Sequence, residues 1–317
     1  MDLKGSRLLV TGAHGCIGAW ITKLALDAGA EVIAYDISTD PWRLRLISPD
    51  YDAKRLTIEQ GKVDDTAKVK ALVKDTGVTH IAHMAAVLMP FCAANPVEGG
   101  LINVIGTLNV FEAARDAGHN IRITYASSSA VWGPKDAYEN RRLTESDPLK
   151  PATHYGVFKQ CNEGNARAFY AQNGISSISL RPWTVYGPGR DTGLTADPTL
   201  AMKAVAEGKP FHIRTSGRMD LQYVEDIAGA FLSGLYSDLE GAHVFNVEGD
   251  IVEMGELIRK MSTFRPEAAP RPSVLPHCGP ACIILIVTGE GATEGRGWRP
   301  RRVVLIWVRS SVLSGAR

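Results

Sequence analysis

The sequence is short of the features that mark disulfide-stabilised, membrane-spanning and nucleic-acid-binding proteins. Its five cysteines are odd in number and scattered over 317 residues, which argues against a disulfide framework. The longest apolar run, residues 281–287, is far below the ~20 residues that a bilayer span needs. The net charge is +1 and no basic stripe with interleaved aromatics occurs, so we expect no nucleic-acid or membrane partner. The start of the chain has no apolar signal region, so a cytoplasmic location is expected.

What the sequence does contain is a regular alternation of strand and helix patterns in its first half. Strands alternating with helices predict an α/β fold with a Rossmann-type doubly wound parallel sheet and a smaller C-terminal substrate-binding region. The predicted strands are residues 7–10, 31–35, 80–83, 121–126 and 176–180. One predicted helix ends near residue 28, and three others cover residues 65–74, 103–117 and 154–171.

Three segments are expected along the chain. Residues 1–185 would form a dinucleotide-binding domain interleaved with substrate residues, and residues 186–262 a substrate-binding region. Residues 263–317 form an atypical tail, with eight arginines from residue 265 on, no lysine and no aspartate. Either the reading frame shifts near residue 264, or the tail is divergent or disordered. Resequencing the gene distinguishes these two explanations, because a one-base correction would restore a shifted reading frame.

A tail motif of His277, Cys278 and Cys282 gives at most three metal ligands, so no metal is expected.

A glycine loop follows the first strand. Residues 8–18 read LLVTGAHGCIG, with Gly12, Gly15 and Gly18 three residues apart. The first glycine permits a tight turn, the second lets backbone approach a pyrophosphate, and the third lets the next helix pack closely. Amides at the helix start, including those of Cys16 and Ile17, attract phosphates. The loop predicts a dinucleotide site.

An acidic residue at the end of the second strand supports this interpretation. Asp36 lies eighteen residues after Gly18, where a carboxylate binds ribose hydroxyls and repels a 2′-phosphate, which favours NAD over NADP. The alternative is a solvated turn aspartate. Further along, Val63 and Asp64 could lie beside the adenine, whereas Asp64 or Asp65 could equally cap a helix.

Tyr155 and Lys159 lie four residues apart, on one face of a predicted helix. A nearby ammonium, together with a nicotinamide cation, favours the phenolate and lowers the pKa of tyrosine. Alone, this spacing is common and usually structural, but here it follows a complete glycine loop. Ser127, Ser128 and Ser129 end a strand at the sheet edge where such folds bind ligands, and one of them could hold the reacting oxygen.

Taken together, these motifs resemble the extended short-chain dehydrogenase/reductase family, the NAD-dependent epimerase/dehydratase group. The matching segments include TGAHGCIG, HMAA at 83–86, NVIGTLNVFEAA at 103–114, YGVFK at 155–159 and RPWTVYGPG at 181–189. The resemblance implies NAD as cofactor, with Tyr155 as acid/base, Lys159 as its partner and Ser128 as the catalytic hydroxyl. It also implies that Ala85, Ala86, Asn103 and Pro182 belong to the cofactor site, and that the protein is a homodimer.

The sequence departs from nucleotide-sugar enzymes of this family at the expected substrate positions. Those enzymes usually carry arginine directly before the aspartate of the DLQYVED segment, where this chain has Met219 and, one residue earlier, Arg218. The loop after Ala86 is largely apolar, which suits a less polar substrate unless its side chains merely pack together. We therefore assign Val87, Ser129, Tyr186 and Arg218 to substrate binding.

Three functions remain open on sequence grounds. A simple NAD-dependent dehydrogenase or reductase acting on a small or sugar-like substrate is favoured. The main alternative is a nucleotide-sugar 4-epimerase that retains its NAD. The third is an NAD-binding protein without turnover, which the presence of Ser128, Tyr155 and Lys159 disfavours.

Overall fold

The computed structural model describes residues 2–139 and 141–264. The atypical tail therefore lies outside the described residues, apart from residues 263 and 264. The described residues divide into a first unit, up to Leu200 with Asp220–Gly249, and a second that contains Ala201–Met219 and residues 250–264. The boundaries expected after residues 185 and 262 stay a prediction. Within the described ranges, no helix is long and apolar enough to cross a membrane.

The described residues contain the alternating elements that the sequence predicts. The strands are β1 (Arg7–Thr11), β2 (Glu31–Asp36), β3 (Leu56–Gln60), β4 (His80–His83), β5 (Arg122–Ala126), β6 (Ser177–Arg181), β7 (Thr184–Tyr186), β8 (Arg218–Tyr223), β9 (Ala242–Asn246) and β10 (Asp250–Glu253). The α-helices are α1 (Cys16–Asp27), α2 (Trp42–Ile47), α3 (Thr66–Thr76), α4 (Met89–Ala94), α5 (Pro96–Gly100), α6 (Gly106–Asp116), α7 (His154–Asn173), α8 (Asp197–Ala206), α9 (Val224–Leu235) and α10 (Met254–Phe264).

A seven-stranded sheet forms the centre of the first unit, in the order β3-β2-β1-β4-β5-β6-β9. Each neighbouring pair in this sheet is parallel, and the central register places Val10 beside Ala34 on one side and Ala82 on the other. This confirms the doubly wound parallel sheet. The chain builds outward from β1 to β3 and then returns to β4, so the strand order reverses between β1 and β4. In such sheets, ligands bind in the crevice at the carboxyl ends of the strands where the order reverses.

Apolar side chains on both faces of the sheet explain why helices cover it on both sides. Leu8 and Val10 are fully buried in a cluster that includes residues of α1 and α9. Leu9 and Ile81, also fully buried, belong to a second cluster with residues of α3 and α6. A continuous apolar run is typical of parallel strands that are buried on both faces.

Two of the elements that were not predicted, β3 and α2, show why the sequence pattern misses them. The β3 sequence LTIEQ is partly exposed and has no continuous apolar run, because it lies at the edge of the sheet. The six residues of α2 are too few to show a helical period.

Helix boundaries add detail to the sequence pattern. Helix α9 begins at Val224 with Tyr223 as its N-cap, so Asp226 lies in its first turn. Directly before α6, residues Leu101–Ile105 form a π-helix, so the helical segment predicted from residue 103 begins two residues earlier and not as an α-helix. The helix alternative is confirmed for Asp65, whose side chain accepts a hydrogen bond from the Lys68 amide at 3.0 Å and caps α3.

A buried ion pair joins α7 to the end of β6. Both side chains of the Glu163–Arg181 pair are almost fully buried, and the guanidinium donates to the two carboxylate oxygens at 2.9 and 2.8 Å. The Ser127 hydroxyl donates to the same carboxylate at 2.6 Å, and the guanidinium lies 4.6 Å from the centre of the Trp132 ring. The pair therefore holds the serine segment after β5 against α7.

We predict that Glu163→Gln lowers the free energy of unfolding by about 3 kcal/mol, because Arg181 would keep a buried charge without a counter-charge. Urea unfolding of the variant measures this loss. The matched control is Glu112→Gln, which removes a partly exposed carboxylate on α6 and should change stability by less than about 1 kcal/mol. The double variant Glu163→Leu/Arg181→Met should recover much of the loss. Equal effects of Glu163→Gln and Glu112→Gln would contradict this account.

Candidate functional site

The glycine loop brings the turn after β1 against the loop after β4. Gly12 has a φ of +65°, and a Cβ at this position would lie 2.6 Å from the amide nitrogen of Ala85. A Cβ at Gly18 would lie 2.1 Å from the carbonyl oxygen of Gly12, so the start of α1 packs directly on the turn. Both glycines are therefore required by close backbone contacts, as the motif predicts.

The first turn of α1 fits a dinucleotide pyrophosphate. Gly15 is the N-cap, and the amides of Cys16 and Ile17 begin the helix, where amides have no partner within the helix. Burial raises the pKa of the Cys16 thiol to about 11, so this side chain adds no negative charge to the turn. The turn thus offers amide donors and a positive helix end to an anion.

Asp36 lies at the end of β2, directly beside the glycine loop. One carboxylate oxygen accepts a hydrogen bond from the His14 amide at 2.9 Å, and the other accepts one from the Ser38 amide at 3.2 Å. These two bonds orient the carboxylate and leave it with further acceptor capacity. The arrangement fits the ribose of an adenosine and disfavours a 2′-phosphate, so the residues present fit NAD.

Ser128, Tyr155 and Lys159 meet at the carboxyl end of β5. The Lys159 ammonium is buried, donates to the carbonyl of Ala126 at 2.6 Å and lies 5.6 Å from the centre of the Tyr155 ring. The Ser128 side chain is close enough to Tyr155 to lower its pKa, and the Ser128 hydroxyl accepts a hydrogen bond from the Ala130 amide at 3.1 Å. The three predicted catalytic side chains thus form one cluster.

The electrostatics of Tyr155 differ from the sequence-based expectation. Burial raises the pKa of Tyr155, while the neighbouring Ser128 side chain and the positive charge of Arg190 lower it. The Lys159 ammonium donates to the Ala126 carbonyl at 2.6 Å. Burial also lowers the pKa of Lys159 to about 8. At neutral pH, Tyr155 is therefore a protonated phenol that can donate a proton.

A buried polar chain, not anticipated from the sequence, supports the cofactor loop from below. The His83 ring bonds through Nδ1 to the Thr11 hydroxyl at 2.7 Å and through Nε2 to the Thr107 hydroxyl at 3.0 Å. The single proton of the Thr107 hydroxyl is already donated to the carbonyl of Asn103 at 2.8 Å. Thr107 must therefore accept from Nε2, which makes Nε2 the protonated ring nitrogen and Nδ1 an acceptor from Thr11.

This chain sets the position of the loop after β4. The Thr11 hydroxyl, whose own proton goes to His83, accepts the amide of Ala85 at 3.3 Å. Burial and, to a smaller extent, the charge of Lys159 lower the pKa of His83 to about 3. The ring therefore stays neutral, with Nε2 as donor and Nδ1 as acceptor. The only sequence signal was the histidine of the HMAA segment, next to the two alanines.

The other predicted cofactor residues lie around this loop, and their roles stay predictions. The Asn103 amide donates to the carbonyls of Gly99 at 2.9 Å and Val87 at 3.2 Å, which fixes the loop that follows Ala86. Val63 is buried, and its side chain occupies the space beside Gly106, where a Cβ would lie 2.5 Å away.

The remaining predicted residues are not all brought together. The carbonyl of Pro182 accepts the Ser129 amide at 3.0 Å, so both lie next to the catalytic cluster. Tyr186 is buried, with its ring centre 5.5 Å from that of Tyr223. Asp64 is half-buried before α3, and Arg218 is an exposed residue of the second unit.

Two arginines that the sequence analysis did not single out lie near the site. Arg43 donates to the two carboxylate oxygens of Asp191 at 2.7 and 2.9 Å, and to the carbonyls of His14 and Gly189. It therefore links the glycine loop to the segment after β7. Arg190, on the same segment, is close enough to Tyr155 to influence its pKa.

Comparison with known proteins identifies relatives of the chain. The model of the NAD dependent epimerase/dehydratase family matches residues 8–248. UDP-glucuronate 4-epimerase 4 of Arabidopsis thaliana is 28% identical over 246 residues, which cover 73% of this chain and 54% of that protein. The match thus spans about half the length of that relative.

Two solved structures are similar to this chain in fold. UDP-N-acetylglucosamine 4-epimerase from Methanobrevibacter ruminantium has a TM-score of 0.73 and 25% identity, and the alignment covers 88% of this chain and 90% of that one. A GalE-like L-threonine dehydrogenase from Cupriavidus necator has a TM-score of 0.71 at 23% identity, covering 82% and 84%, and shares the fold.

We predict that Asp36→Ala raises the dissociation constant for NAD at least about tenfold and narrows the preference for NAD over NADP. The affinity falls because the ribose hydroxyls lose hydrogen bonds to a charged acceptor. The preference narrows because the variant lacks the carboxylate that repels a 2′-phosphate. Calorimetric titration with both cofactors measures the effect. Ser38→Ala, which keeps the carboxylate, is the control and should bind NAD normally. An unchanged NAD affinity in Asp36→Ala would argue against this site.

Proposed function

This chain belongs to the NAD dependent epimerase/dehydratase family, and we propose that it is a dehydrogenase or reductase that transfers hydride at a carbon bearing a hydroxyl or keto group. The observation that supports this most strongly is the cluster of Ser128, Tyr155 and Lys159 at the sheet edge that also carries the glycine loop and Asp36. The substrate would be a small or sugar-like molecule.

Each member of the cluster has a separate task in this proposal. Tyr155 donates a proton to the oxygen of a keto substrate, or accepts one from a hydroxyl in the reverse direction. Ser128 accepts from the Ala130 amide, so its proton can hydrogen-bond the reacting oxygen and position it. Lys159 would hold the nicotinamide ribose and keep a positive charge near Tyr155. NAD, when bound, supplies the nicotinamide carbon that exchanges the hydride.

A net dehydrogenase is favoured by the apolar side of the site. Leu88 and Met89, at the start of α4, are 38% and 45% exposed, so this loop presents apolar surface that suits a less polar substrate. Arg218 lies one residue before the position at which nucleotide-sugar enzymes of this family usually carry arginine. This difference also favours a substrate without a diphosphate. An epimerase is the second candidate, and the likeness to UDP-sugar 4-epimerases supports it.

We also propose that the protein is a homodimer. Leu101 and Ile105 are four residues apart in the π-helix and are 46% and 37% exposed. Val157 and Cys161, likewise four apart, are exposed on the neighbouring α7. Two adjacent exposed apolar stripes are typical of an interaction surface.

The proposed reaction is tested by following NADH absorbance when the protein is mixed with NAD and a panel of alcohols, free sugars and UDP-sugars. We expect sustained NADH formation in the wild type, and a kcat lower by about 10²–10⁴-fold in Tyr155→Phe, which lacks only the phenolic oxygen. NAD affinity should be unchanged in this variant, which controls for its folding.

Other outcomes have distinct meanings. Retained NAD, no net NADH and an epimerised UDP-sugar would replace the dehydrogenase by the epimerase. NAD binding without turnover of any panel member, or equal turnover by Tyr155→Phe, would contradict the proposed function.

The dimer is tested by light scattering coupled to gel filtration. The wild type should have the mass of two chains, and Leu101→Asp/Val157→Asp the mass of one, because two charges would be buried at the contact. Leu239→Asp, which alters a 46% exposed leucine elsewhere on the first unit, should remain dimeric. A monomeric wild type would overturn the proposal.

A further inference from the structure

Arg190 is held in place on the segment after β7. Its Nη2 donates to the Thr195 hydroxyl at 2.7 Å. A Cβ at Gly193 would lie 3.7 Å from that same nitrogen and 3.7 Å from Cδ1 of Leu88, which belongs to the loop after β4. The guanidinium therefore lies close to the apolar loop that follows the two alanines.

Within the described part of the chain, Arg190 has no carboxylate partner. The neighbouring carboxylate, Asp191, is occupied by both hydrogen bonds from Arg43. Among the residues that the structure describes, no carboxylate pairs with Arg190, and its Nε is buried without an acceptor. A partly buried guanidinium without a counter-charge is unfavourable unless an anion binds there.

The location of this charge narrows the choice of anion. Arg190 acts electrostatically on Tyr155, at the reacting end of the site, and on Cys16, at the start of α1. The pyrophosphate already has the amides of α1 and the positive helix end as partners. An anion between Tyr155 and Leu88 would instead be part of the molecule whose hydroxyl or keto group reaches Tyr155.

We propose that Arg190 binds a carboxylate of the substrate, so that the site selects hydroxy acids, keto acids or sugar acids over their uncharged analogues. Guanidinium is the side chain best suited to a carboxylate, because its planar donors match the two oxygens. This inference rests on the proposed function, since it requires the reacting carbon to lie at Tyr155.

The test compares pairs of compounds that differ in the carboxylate, titrated into protein saturated with NAD. The pairs are 3-hydroxybutyrate with 3-hydroxybutyramide, and UDP-glucuronate with UDP-glucose. In the wild type, the acid of at least one pair should bind about tenfold or more tightly than its neutral partner. Arg190→Met should reduce this ratio by about 10- to 100-fold, the effect of losing a charge-assisted bond. Arg190→Lys should retain part of it.

Two measurements keep the outcome unambiguous. NAD affinity should be the same in the wild type, Arg190→Met and the control Arg45→Met, which removes an exposed guanidinium paired with Asp40. If Arg190→Met weakens NAD binding and leaves the acid preference intact, the anion is the cofactor pyrophosphate and the proposal is wrong. It is also wrong if neither acid binds better than its neutral partner. Failure of the wild type to bind NAD would instead overturn the proposed function.

Discussion

The hydrogen bond from the buried Lys159 ammonium to the Ala126 carbonyl is the contact on which the geometry of the site depends. A buried ammonium needs an acceptor, and the end of β5 supplies one at 2.6 Å. This bond ties α7 to β5 at the point where the chain continues to Ser128. Tyr155, one helical turn before Lys159, is thereby placed against the Ser128 hydroxyl.

The parallel sheet extends this local arrangement into a complete site. Parallel strands end at the same edge, so the turn after β1, the loop after β4 and the serines after β5 become neighbours although they are far apart in sequence. Close approach of Gly12 to Ala85, and the chain of hydrogen bonds through His83, fix the first two of these segments together.

Features that depend on local spacing could be predicted from the sequence. The glycine loop, Asp36 and the Tyr155–Lys159 pair are set by a few neighbouring residues, and the parallel fold follows from the alternating elements. The strand β3 could not be predicted, because an edge strand lacks the continuous apolar pattern. The ring state of His83, and the lack of a carboxylate partner for Arg190 among the described residues, depend on side chains from distant segments, so no local pattern reveals them.

The central claim is that the glycine loop and the Tyr155 cluster serve the two ends of one dinucleotide. A crystal structure of the NAD complex tests it most directly. The account predicts that the Asp36 carboxylate contacts the adenosine ribose, while Tyr155 and Lys159 line the nicotinamide half. An NAD bound elsewhere, or one whose nicotinamide end lies away from Tyr155, would contradict it.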